Sequence, residues 1–122
     1  MITGIFIENV PFIKVILGWA RSIQSPAVVL DTGFTGDLQM TTKIAKELNL
    51  VPIGASKIKL ANGQIANVPI ANAIASMEGM VKNIQVLIVD GMPLVGINFL
   101  SKFSYKAIVD CKYKKVLLER VI

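Results

Sequence analysis

The chain has 122 residues, a formal net charge of +5, 53% hydrophobic and 17% charged residues, one cysteine and no histidine. That length suits one domain, spanning 1–122, with a core of its own. The missing histidine and the single Cys111 exclude Ser-His and Cys-His catalysis, an intrachain disulfide and the common zinc sites, so neither a metal nor a cofactor is expected.

No apolar run approaches the length that crosses a bilayer: the stretches at 15–20 and 27–30 are bounded by Lys14, Arg21 and Asp31. The first ten residues, MITGIFIENV, lack a basic region and carry Glu8, so no signal peptide is read. The expectation is a cytoplasmic protein without a membrane partner. The composition is more apolar than a small domain requires, which points to surface covered by another chain. Lys112, Lys114 and Lys115 cluster, but the interleaving of basic and aromatic residues that single-strand binders use is missing, so no nucleic-acid partner is expected.

Taken in order, residues 2–10 predict a strand that Glu8, Asn9 and Pro11 end or bend. Residues 12–19, FIKVILGW, predict a second strand, and 21–26 a polar connection. Residues 27–31, AVVLD, form a third strand, apolar on both faces and therefore interior. A short strand at 38–40 precedes a helix that starts on a Thr41-Thr42 cap and closes at Asn49 and Pro52. Asn62-Gly63 between two apolar runs signals a β-hairpin. Further strands are expected at 71–77 and 81–89, then a loop at 90–93. Residues 93–103, PLVGINFLSKF, combine a strand, Gly96 and a segment able to turn helical. Two closing strands, 106–111 and 115–121, flank a lysine-rich turn. The fold is thus mainly β, with one or two short helices.

Asp31 draws attention because it ends an apolar strand and is followed at once by Thr32 and Gly33. Burying a carboxylate costs several kcal/mol unless it is paired or protonated, so such an acid is a candidate for chemistry. The plain reading is a turn-forming Asp. Asp37 and Asp90 sit beside glycine and read as turn formers; Asp110 reads as a strand end. Trp19, Phe99 and Phe103 read as core, and Cys111 as a small, partly buried residue.

In combination these pieces resemble the retropepsin-like aspartic protease family, across most of the chain. Val28-Val29-Leu30-Asp31-Thr32-Gly33 resembles its active-site strand, and the Asn62-Gly63 hairpin sits where its substrate-covering flap lies. Leu94-Val95-Gly96-Ile97-Asn98-Phe99-Leu100 resembles the segment that crosses behind the active-site loop. LDTGFTG is similar to small single-domain bacterial and archaeal proteins of this kind. The resemblance implies an acid-protease β-barrel that is half of a dimeric enzyme, because Asp-Thr-Gly occurs once. It implies a homodimeric endopeptidase cleaving a polypeptide, with Asp31, Thr32 and Gly33 catalytic and Phe34, Ala61, Asn62, Gly63 and Gln64 binding substrate. Phe34 stands where the family usually has Ala or Ser; it either lines the cleft or shifts the loop. The rival readings are a retropepsin-like dimer that binds peptides without cleaving them and, ranked lower, a basic protein that binds nucleic acid.

Overall fold

The structure is a computed structural model that describes residues 1–60 and 62–122. Strand β1 (Ile2–Ile7) and β2 (Val10–Lys14) form a hairpin closed by Glu8 and Asn9, both at positive φ, 48° and 66°. A two-residue turn of this kind matches the right-handed twist of the strands it joins. The predicted strand at 12–19 is divided by fully buried Val15, because the chain changes partner there. β2 pairs with β5 (Ala27–Leu30), whereas β3 (Ile16–Trp19) pairs with a later strand and with β4 (Ser22–Gln24). The expected polar connection at 21–26 is therefore partly a strand. Its turn, Ala20-Arg21, adopts φ of 46° and 72° without the Gly or Asn that would have announced it.

After β6 (Leu38–Met40), helix α1 (Thr42–Glu47) begins as expected, with Thr41 Oγ1 accepting the Ile44 N–H at 3.2 Å. Asp90 adds a second cap from a distance, accepting the Thr42 N–H at 2.9 Å, and this bond holds its carboxyl below the usual carboxylate range. β7 (Pro52–Lys59) and β8 (Ile65–Met77) form the expected hairpin, and β8 pairs on with β9 (Met80–Ile88). β10 (Leu94–Val95), α2 (Ile97–Lys102), β11 (Tyr105–Asp110) and β12 (Lys115–Arg120) complete the chain.

The protein is mainly β, with two short helices. The strand path runs β11-β12-β1-β2-β5-β10-β6-β9-β8-β3-β4, with β7 branching off β8. Among the described residues it is open, with β11 and β4 at its ends. Interior β5 fits its unbroken apolar sequence: Val28 and Leu30 are buried against Leu38, Met40, Val86 and Val95. Phe99 and Phe103 of α2 pack on this core with ring centroids 4.8 Å apart, so both are core residues as read. Cys111, by contrast, is exposed. Among the described residues no helix is long and apolar enough to cross a membrane.

Two contacts fix the chain's crossings. At Gly96 a Cβ would lie 2.3 Å from the Gly36 carbonyl oxygen and 2.6 Å from that of Phe34, neither of which can yield as a side chain would. Gly96→Ala is expected to lower stability by about 1–3 kcal/mol or more through overpacking, measured by denaturant unfolding. At the other end of the core, the Tyr105 hydroxyl donates to Glu78 Oε1 at 2.7 Å. Burial first, and the Glu78 carboxylate second, push the Tyr105 phenol up from 10.0 to about 12. A raised phenol pKa stabilises the fold fully below its unfolded value and loses that contribution as pH climbs through the folded one. Thermal melts across pH 9–12 are expected to show an alkaline loss of stability that is smaller in Tyr105→Phe.

Candidate active site

The site is built on the loop from Asp31 to Asp37 that joins β5 to β6. Its start is fixed by the neighbouring parallel strand: the Asp31 N–H donates to the Val95 carbonyl at 3.1 Å. The Asp31 carboxylate then accepts the Gly33 N–H at 2.9 Å, while the Phe34 N–H donates to the Asp31 carbonyl at 3.2 Å. A Cβ at Gly33 would stand 3.2 Å from Asp31 Oδ1, so glycine leaves the carboxylate uncrowded. Asp31 is half-buried and Thr32 and Gly33 are exposed.

The far end of the loop is locked onto α2. The Gly96, Ile97 and Asn98 N–H groups donate to the carbonyls of Asp37, Phe34 and Gly36, at 2.9, 2.9 and 3.2 Å. The loop thereby satisfies backbone donors that a helix start leaves free. Asp37 is the buried acid, 5% exposed, and not a simple turn former. Its carboxylate accepts from the Gln85 N–H at 2.9 Å, Asn98 Nδ2 at 2.8 Å and Lys102 Nζ at 2.6 Å. The cost of a buried charge, first raised for Asp31, applies to Asp37, and three donors offset it.

A cleft of about 410 Å³ lies between this loop and the hairpin. Gly33, Phe34 and Gly36 line one wall, Ser56, Lys57, Ile58 and Lys59 of β7 the other, with Gln85 and Leu87 beneath. Asp31 is not part of this lining; its carboxylate is tied to it through the bond from the Gly33 N–H. Four consecutive residues of β7 line the cleft, so that strand presents its edge and not one face. β7 pairs only with β8, leaving that edge unpaired among the described residues. The Phe34 ring folds back over the glycines: a Cβ at Gly36 or Gly96 would come within 2.8 Å of it.

Of the residues singled out in the sequence, Gly33 and Phe34 meet in the cleft, with Asp31 beside them. Asn62, Gly63 and Gln64 form an exposed tip outside its lining, where the Gln64 N–H donates to Asn62 Oδ1 at 3.0 Å and Gly63 takes φ 85°. Ala61 lies outside the described residues. The β7 stretch 56–59 and Gln85 and Leu87 were missed; the strand before an Asn-Gly tip was the available signal for the first. Asp110 serves its own turn, accepting the Lys112 and Tyr113 N–H groups at 3.0 Å each. Lys112 lies over the Tyr113 ring and Lys114 over that of Phe6. Among the described residues no three His, Cys, Asp or Glu side chains converge as metal ligands would. Neither a scan against protein-family models nor a search of curated proteins finds a match for this chain.

The two loop acids are expected to separate on mutation. Asp37→Ala should cost about 2–4 kcal/mol in chemical denaturation, below a wholly buried pair because Lys102 keeps 34% of its side-chain exposure. Asp31→Asn should move stability by no more than about 0.5 kcal/mol.

Proposed function

We propose that this chain is one half of a retropepsin-like aspartic endopeptidase, and that a twofold homodimer brings Asp31 of each copy together to hydrolyse peptide bonds. The observation that carries the reading is the half-buried Asp31 carboxylate, bonded to Gly33 in the wall of a cleft whose opposite wall is a strand edge unpaired among the described residues. An extended peptide pairs with such an edge through its main chain and leaves its side chains for pockets. Gly33, Phe34 and the β7 edge contact that peptide, and Asn62, Gly63 and Gln64 reach over it.

The chemistry follows from having two like charges in one place. Carboxylates in contact cannot both ionise, so the pair retains one proton and titrates as a unit. The ionised member takes a proton from water as that water attacks the peptide carbonyl. The protonated member gives its proton to the carbonyl oxygen, and the amine leaves with a proton returned through the pair. The Gly33 N–H keeps each carboxylate oriented, and exposed Thr32 faces the second copy. Asp37, Asp90 and Asp110 are each held in other bonds, and in the proposed dimer the second carboxylate is Asp31 of the other copy.

This last point also defines the rival: a dimer with the same groove, but with its acids too far apart to share a proton, binds peptides without cleaving them. The test is a peptidase assay on wild type and Asp31→Asn. Wild type is expected to cleave, with a rate that falls as rising pH strips the shared proton. Asp31→Asn is expected to lose cleavage while remaining dimeric and binding peptide. Equal cleavage by the two proteins would refute the mechanism, and peptide binding without cleavage by either would establish the rival.

A further inference from the structure

Between Glu47 and Glu78 the sequence holds no Asp or Glu, and its only charged residues are Lys57 and Lys59, both on β7. The alternation of the β7–β8 hairpin places these two on one face. Ser56 and Ile58 lie opposite Val68 and Ala66, and Val68 is only 8% exposed, so their face turns toward the body of the protein. Lys57 and Lys59 lie opposite Asn67 and Ile65 on the outer face, and all four are exposed. Neither lysine forms an ion pair among the described residues. The other charged residue of the cleft lining, Asp37, is matched by Lys102. The cleft therefore carries two uncompensated positive charges, both on the outer face of its open strand edge.

We infer that the cleft selects extended peptides in which acidic and apolar residues alternate. The inference rests on the endopeptidase reading above and names its substrate class. A peptide that adds to the β7 edge, unpaired among the described residues, becomes a strand of the hairpin. Each of its side chains then shares a face with the β7 residue beside it. Every second peptide residue thus stands next to Lys57 or Lys59, where an opposite charge is attracted. The residues between them turn inward, where the apolar lining is Phe34, Ile58 and Leu87, all half-buried. An acid on that inner side would approach the loop that carries Asp31, like charge to like charge. Alternation keeps the substrate's acids on the lysine face and away from the acids that do the chemistry.

Lysine on an open edge also guards it against pairing with other chains. That role needs positive charge alone and confers no preference for the spacing of acids in a peptide.

Three labelled peptides separate the two roles: an alternating Leu/Glu sequence, an alternating Leu/Lys sequence, and an isomer of the first with its glutamates in one block. Binding is read by fluorescence anisotropy on Asp31→Asn, and kcat/KM on wild type. At low ionic strength the alternating Leu/Glu peptide is expected to bind about two- to twentyfold tighter than either of the others, and to be cleaved with the highest kcat/KM. Lys57→Glu with Lys59→Glu, both at exposed positions, should reverse the order of the two alternating peptides while the unfolding transition stays in place. Equal binding of the two isomers, or a preference that survives the double substitution, would overturn the inference, and cleavage of all three peptides with equal kcat/KM would do so while leaving the endopeptidase reading intact. Selective binding of the alternating Leu/Glu peptide, with no cleavage by wild type, would uphold the peptide class and refute the endopeptidase.

Discussion

The arrangement depends on one buried charge. Asp37 sits at the end of the loop that begins with Asp31, and its carboxylate gathers a β9 amide, an α2 side-chain amide and an α2 ammonium. Taking a carboxylate out of water is tolerable only when its lone pairs are filled, and each donor that fills one also fixes an element in place. The loop is therefore held to α2 from below and to β9 from the side. That leaves the Asp31 carboxylate, among the described residues, with no bond but the one from Gly33. Two acids six positions apart divide the work: one spends its charge on architecture, so the other can keep its charge at the surface.

Close backbone approach serves the same end. Carbonyls of the loop take up the first N–H groups of α2, and Gly96 admits them where a side chain would collide. The Phe34 ring closes over the two glycines of this crossing. A large apolar residue after Asp-Thr-Gly thus has a packing role here, filling space that Gly36 and Gly96 leave, while its exposed part borders the cleft.

Much of this was legible in the sequence, where local chemistry was strong. The apolar run at 27–30, the Thr41 cap and the Asn62-Gly63 hairpin signal each rest on a few adjacent residues, and each matches an element. Partners distant in sequence were not legible. Asp37 reads as a turn former because its donors lie 48, 61 and 65 positions away. β4 escaped because Ala20 and Arg21 take a turn conformation that their residue types do not advertise. The cleft wall at 56–59 escaped because edge exposure is a property of the sheet, and alternation along the strand says nothing of it.

β8 carries a further consequence. It is 13 residues long, but its surroundings change midway. From Ile70 to Met77 it is flanked by β9, with β3 alongside at Ile74, Ala75 and Ser76; from Ile65 to Pro69 only β7, among the described residues, accompanies it. The register irregularity of β7, between Pro52 and Gly54, falls level with Ile70, where β9 stops. The hairpin is thus a cantilever clamped at one end, with its weakest cross-section at the clamp. A two-stranded ribbon has little stability of its own, so bending concentrates on that line. Amide exchange should then change abruptly within one unbroken strand. The overhang, which borders the cleft through 56–59, is the part expected to bend as a unit, while the clamped half keeps the pairings of the core.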